Sequence, residues 1–217
     1  MQRFTDEANL TTNKKIKTAK LQHLGRAVET QEIINQLGQK NITFLAGVRE
    51  PIALALSLFF EQGVNYGGSQ LDLSVDEIQN AIESPAGIWW FDICRLDRWF
   101  DEDLLAASEH NVLSKPFPKE IGYKTFRGGK GDLSVYRLEN FDSILEALGD
   151  VLEISESLLE LKKANIAEDK NYAEKYREVL SDISFSDSFI EKIYQSRYAK
   201  HFYTSSERES YKSRWSK

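Results

Sequence analysis

With a single cysteine, Cys94, this 217-residue chain cannot form an internal disulfide, so its fold rests on packing and suits a reducing compartment. Cys94 lies in an apolar stretch and is expected to be buried and inert. Long hydrophobic runs are also missing. None approaches the roughly 20 residues of a membrane span, and the N-terminus carries no signal-peptide core. Histidine is scarce, with three in all. His110 and His201 have no Cys, Asp or second His at ligand spacing, which argues against a metal site. Nor is there an excess of positive charge: 28 Lys and Arg face 34 Asp and Glu, a net charge of −6. That balance favours solubility and disfavours duplex nucleic acid as a partner, while leaving room for a local basic pocket. The expectation is a soluble, cytoplasmic protein without an integral membrane segment, metal or nucleic-acid partner.

What the chain does have is an alternation of strand-like and helix-like segments. The clearest is ITFLAGVREPIALALSLFFEQ, residues 42–62. Ile42 to Val48 reads as a buried strand, too short and too β-branched at its ends for a helix. Pro51 suits a first helical turn, where its missing N–H costs nothing. Arg49 then stands at the strand's carboxyl end beside a helix N-terminus, where open α/β sheets bind anions, and its fork can grip a phosphate through two parallel hydrogen bonds. Ser57 comes two turns into the helix.

Ahead of this unit, residues 1–15 read as a loose polar lead-in, Ile16 to Leu24 as a short strand and Gly25 to Gln39 as a helix. Behind it, Gly63 to Leu73 reads as a loop, and Ser74-Val75-Asp76-Glu77 as a capping box opening a helix to about Ser84. The aromatics between Ile88 and Leu105 recur at helical spacing and suit a core or groove wall. Lys124 to Arg127 and Leu133 to Leu138 are strand-like. The glycines between them lack the Gly-Lys-Ser/Thr of a phosphate loop, so a hairpin turn is the better reading. Gly149 is expected to stop the helix after Glu139, and the remainder reads as helical and charged. The alternation makes this an α/β chain with one domain over residues 16–217.

Arg49-Glu50-Pro51 with Ser57 eight residues after the arginine resembles the 3′-phosphate-binding segment of sulfotransferases that use 3′-phosphoadenosine 5′-phosphosulfate (PAPS). Trp99-Phe100-Asp101, Phe117 to Tyr123 and Val135 to Glu139 resemble the NKWYS capsular polysaccharide synthesis family, itself similar to the carbohydrate sulfotransferases. So do Asn165, Tyr176 and the tail Tyr198 to Tyr203. The family's name-giving pentapeptide falls on Asp169-Lys170-Asn171-Tyr172-Ala173, where Lys170 and Tyr172 agree. The resemblance covers roughly residues 16–215, with its elements in family order. It implies a sulfotransferase-like, P-loop NTPase-like three-layer fold with a short parallel sheet and a helical C-terminal part. The departure is at the front. Such enzymes open on a strand and a Gly/Ser/Thr-rich loop that cradles the 5′-phosphosulfate, whereas residues 1–22 contain no glycine. The expectation is an N-terminally truncated form, from either a start further upstream or a degenerate, inactive relative.

The resemblance implies that Arg49, Ser57, Lys170 and Tyr172 bind the nucleotide donor, and that a polysaccharide or glycolipid hydroxyl accepts the sulfate. His23 is the candidate base, since imidazole near its ordinary pKa suits a hydroxyl proton; the plainer alternative is a polar residue at a strand end. Glu50 is a second base candidate, or a local charge partner for Arg49. Lys170 and Tyr172 have a plainer reading too, as a solvated helix start. Three functions are open: a PAPS-dependent carbohydrate sulfotransferase, a non-catalytic glycan-binding or scaffold relative and, below these, a P-loop kinase-like nucleotide enzyme.

Overall fold

The computed structural model describes residues 42–65, 70–84, 93, 96–140, 143–160 and 169–216. Strand β1 (Thr43–Val48) forms where the apolar run places it, but not as the buried strand expected: it is an edge strand of the described sheet, burying Ala46 and Val48 and leaving Leu45 exposed. Strands β2 (Tyr123–Phe126) and β3 (Asp132–Arg137) are the two arms of the glycine-containing hairpin. β1 runs parallel to β3, with Thr43 beside Asp132 and Val48 beside Arg137. β2 pairs antiparallel on the other side of β3, so the order is β1-β3-β2. The fold is thus mixed α/β, with a small three-stranded sheet and mostly helix around it. The hairpin makes the sheet mixed rather than wholly parallel.

Helix α1 (Pro51–Asn65) begins two residues after β1 and continues two residues past Gly63, the expected start of the loop. It buries Ile52, Ala55, Leu56, Phe59 and Phe60, a three- and four-residue spacing that forms one apolar stripe. That stripe joins Ala46, Val48, Leu133 and Val135 in a single core. Helix α2 (Val75–Glu83) has the capping box read from the sequence: the Ser74 hydroxyl accepts from the Glu77 N–H, and the Glu77 carboxylate accepts from the Ser74 N–H. Next come a short helix α3 (Leu96–Arg98), a π-helical stretch (Trp99–Leu104) and α4 (Leu105–Ser108). Among the aromatics here, Phe100 is core, packed on Tyr198 and Phe202, whereas Trp99 is exposed.

The glycines after β2 do make a hairpin turn. Gly128 and Gly129 have φ of 94° and 60°, a region that favours glycine. A Cβ at Gly129 would also stand 2.4 Å from the Ser108 carbonyl. The Asp132 carboxylate accepts from the Gly128 N–H at 2.9 Å and from Arg127 at 2.7 Å, filling the place where a phosphate would need free donors.

Helix α5 (Ser143–Leu152) covers the other face of β3 and β2, burying Ile144, Ala147 and Val151. Gly149 lies inside this helix and does not end it. Burial of Val151 holds the last turn, and the stop is Glu153, at φ 57°, with the Ile154 N–H returning to the Gly149 carbonyl at 3.1 Å. The C-terminal part comprises α6 (Ala173–Asp182), α7 (Asp187–Tyr194), α8 (Arg197–Phe202) and α9 (Ser205–Trp215). Trp215 is buried, and its carbonyl accepts from the Phe185 N–H, tying the end of the last helix to the loop before α7. Among the described residues no helix is long and apolar enough to cross a membrane. The strand and helix expected over residues 16–39, with His23, lie outside the described residues, as do Cys94 and Asn165.

Candidate functional site

The two parallel strands end side by side, because Val48 is in register with Arg137. Their next residues therefore meet at one edge of the sheet: Arg49 and Glu50 after β1, Leu138 and Glu139 after β3. Each residue of the Arg-Glu-Pro tripeptide has a distinct local task. Pro51 takes the first helical position. Glu50 is the N-cap: its carboxylate accepts from the Ile52 N–H at 2.9 Å and the Ala53 N–H at 2.8 Å, satisfying donors that a helix start leaves open. The Tyr194 hydroxyl donates to the same carboxylate. Burial, the largest influence, pushes the Glu50 carboxyl up; hydrogen bonds from Tyr194, Ile52 and Ala53 work against this, and the nearby Glu139 charge adds to it.

Glu50 is 2% exposed and not paired with Arg49. The second base candidate, or local charge partner for Arg49, is in this structure a buried helix cap. The main-chain donors at this turn are consequently engaged, and an anion here must be held by side chains.

Arg49 itself is half-buried. The Tyr198 hydroxyl, from α8, accepts from the Arg49 N–H at 3.1 Å and donates to the Arg49 carbonyl at 2.9 Å. Among the described residues no hydrogen bond or ion pair engages its guanidinium. The backbone is clamped and the cation is uncommitted. Ala53, Ser57 and Glu61 succeed one another at four-residue intervals on one half-buried face of α1, and Arg49 stands just ahead of its first turn.

At the far end of that face Lys170 and Tyr172 come together. The Lys170 ammonium lies 3.6 Å from the Glu61 carboxylate, and the Tyr172 hydroxyl donates to it at 2.7 Å. Tyr172 is also core, its ring against Phe60 and Tyr176; burial first, then the Glu61 hydrogen bond, pushes its hydroxyl up to about 12. Glu61 is one helical turn from Ser57, so Ser57, Lys170 and Tyr172 share a neighbourhood on α1, and Arg49 lies two turns away at its head.

The same edge holds groups for which local sequence reasoning finds no role. The Glu139 carboxylate accepts from the Glu50 N–H at 2.5 Å and from the Tyr203 hydroxyl at 3.2 Å. Arg137, 2% exposed, donates to the Lys119 carbonyl at 2.8 Å, pairs with Glu207 and lies over the Tyr203 ring at 4.6 Å. Burial is the largest influence on Tyr194, Tyr198 and Tyr203 and raises all three, keeping their hydroxyls protonated donors. The family-like segments Val135 to Glu139 and Tyr198 to Tyr203 were the available signal, since they supply Arg137, Glu139, Tyr198 and Tyr203. Among the described residues no group of His, Cys, Asp or Glu is arranged to hold a metal.

No curated protein and no solved structure matches the chain. A family model does: NKWYS, described as "Putative capsular polysaccharide synthesis protein", over residues 72–204. This stretch contains β2, β3, Lys170, Tyr172 and Tyr198, while Arg49 and Ser57 lie before it. As the match spans more than half of the 217 residues, the chain belongs to the NKWYS capsular polysaccharide synthesis family.

Proposed function

We propose that this protein transfers sulfate from PAPS to a carbohydrate hydroxyl during polysaccharide synthesis, in a sulfotransferase-like fold with Arg49 and Ser57 at the donor's 3′-phosphate. The observation that carries the reading is the uncommitted Arg49 guanidinium on a backbone clamped by Tyr198, at the carboxyl end of a parallel strand. A preplaced cation there loses little on binding a phosphate and gains a charge-assisted, bidentate contact. In the transfer the acceptor oxygen attacks sulfur, the bond from sulfur to the 5′-phosphate oxygen breaks, and the acceptor proton passes to a base. His23 is retained for that role. Lys170, at the far end of the α1 face where it pairs with Glu61, is the second cation assigned to the donor.

Titration calorimetry with adenosine 3′,5′-bisphosphate tests the reading. Binding should occur, and Arg49→Ala should weaken it by about 1.5–3 kcal/mol, the scale of a hydrogen bond to a charged group. Equal affinity of variant and wild type, or no binding by either, defeats it.

The engagement of Lys170 and Tyr172 by Glu61 favours a second reading, a non-catalytic glycan-binding relative, because two groups assigned to the nucleotide already have a protein partner. Glycan binding without nucleotide binding would select that reading.

A further inference from the structure

The protein is acidic as a whole, yet its described cations are not evenly neutralised. Lys119 and Lys124 flank the entry to β2, and among the described residues neither has a carboxylate partner. The Lys119 ammonium donates to the Lys200 carbonyl at 2.8 Å, and that of Lys124 to the Pro116 carbonyl. Lys200 is exposed on α8, and Lys115 is exposed just before Pro116. Among the described residues Glu120, next to Lys119, forms no ion pair with it, and Glu191, which Lys200 approaches, is bound to Lys212. His201 reports the resulting field from within. Its pKa is lowered to about 4, first by burial and then by the charges of Lys119, Lys124 and Arg197. Arg197 is neutralised by Asp101 and Asp97, which leaves the lysines as the open charge.

The patch also has a defined relation to Arg49. Tyr123 is in register with Tyr136, so β2 begins at the edge where β1 and β3 end. Two strand spacings, roughly 10 Å, separate β1 from β2. Helix α8 spans the interval: Tyr198 clamps Arg49, and two residues later the Lys200 carbonyl receives Lys119. Arg137 fixes the same segment through the Lys119 carbonyl.

We infer that Lys119, Lys124 and Lys200 form the binding surface for an acidic glycan, a polymer bearing carboxylates, presented beside Arg49. Cations without carboxylate ion-pair partners on a negatively charged protein attract a polyanion locally while the rest of the surface repels it, and membership of a polysaccharide synthesis family makes a glycan the fitting polyanion. This rests on the transfer reading for the direction of presentation only; the binding itself does not require the donor.

The test is affinity of the full chain for a defined oligogalacturonate, with neutral dextran and a single-stranded DNA of equal charge as comparison probes. Oligogalacturonate should bind, more weakly as salt rises, and dextran should not. Lys119→Ala/Lys124→Ala should weaken binding at least tenfold with its far-ultraviolet spectrum unchanged, whereas Lys119→Arg/Lys124→Arg should retain it. Glycan binding is measured without nucleotide and adenosine 3′,5′-bisphosphate binding without glycan, so loss of one and loss of the other are read separately. The inference is overturned if oligogalacturonate fails to bind, if the alanine variant binds as well as wild type, or if the DNA binds equally well through the same lysines.

Discussion

The Tyr198 hydroxyl closes both sides of one peptide residue 149 positions away, accepting from the Arg49 N–H and donating to the Arg49 carbonyl. A strand end has no further ladder partner, so without Tyr198 these two groups would need other partners. Tyr198→Phe keeps the ring packing on Phe100 and Phe202 but removes the hydroxyl. Stability should fall by about 2 kcal/mol, the cost of part-buried groups left unpaired, as measured by urea unfolding. Affinity for adenosine 3′,5′-bisphosphate should fall with it, because Arg49 loses its fixed backbone.

Glu50→Ala should cost about 3 kcal/mol. It removes a helix cap, worth about 1–2 kcal/mol, and strands the Tyr194 hydroxyl, worth a further 1–2 kcal/mol or so. Glu50→Gln gives a cleaner reading by pH. The Glu50 carboxyl is raised in the fold, so its contribution is fully present below the unfolded pKa, about 4.3, and is lost as pH rises through the folded value. The wild-type profile should carry that decline above about pH 4.3, and Glu50→Gln should lack it. Parallel profiles for the two proteins would show that Glu50 does not titrate abnormally.

The features legible in the sequence were those encoded within a few residues of one another. β1 and the Pro51 helix start arise from a short apolar run and one proline; Ser74 and Glu77 announce their own cap; the Gly128–Gly131 cluster and Asp132 make their own turn. The tasks of the carboxylates were not legible, since they depend on partners remote in the chain. Glu50 looks like a neighbour for Arg49 until Tyr194 and the helix N–H groups are seen to hold it. Lys170 and Tyr172 look like a solvated helix start until Glu61, more than 100 residues earlier, is placed beneath them. Gly149 misled because a glycine marks a helix end only where no buried residue beyond it, here Val151, holds another turn.

His201 should make the fold acid-sensitive above the carboxylate range. Its folded pKa is about 4, against about 6.5 when unfolded. The unfolded chain therefore binds the extra proton first, and stability falls as pH drops from about 6.5 to 4. The loss should be on the order of 2 kcal/mol, less than the full shift implies because the ring is only partly buried. His201→Phe keeps an aromatic ring beside Phe117 and Phe202 and should flatten that part of the profile. An unchanged slope would place the acid sensitivity elsewhere.

Arg137 should be the least replaceable residue of the β3 edge. It is almost wholly buried and ties three segments together: the Lys119 carbonyl before β2, Glu207 in α9 and the Tyr203 ring after α8. Arg137→Met keeps the stem and removes the charge, leaving the Glu207 carboxylate partly buried without its cation, at a cost of about 3 kcal/mol at neutral pH. Burial pushes the Glu207 carboxyl up, but Arg137 and the Thr204 N–H and hydroxyl more than reverse this, so it lies below the usual range. Its contribution is accordingly present above the unfolded pKa of about 4.3 and disappears as pH falls through the folded value. The gap between wild type and Arg137→Met, measured by urea unfolding at pH 7 and again near pH 3, should therefore narrow in acid. A gap that stays constant would assign the role of Arg137 to packing and the Lys119 carbonyl rather than to its pairing with Glu207.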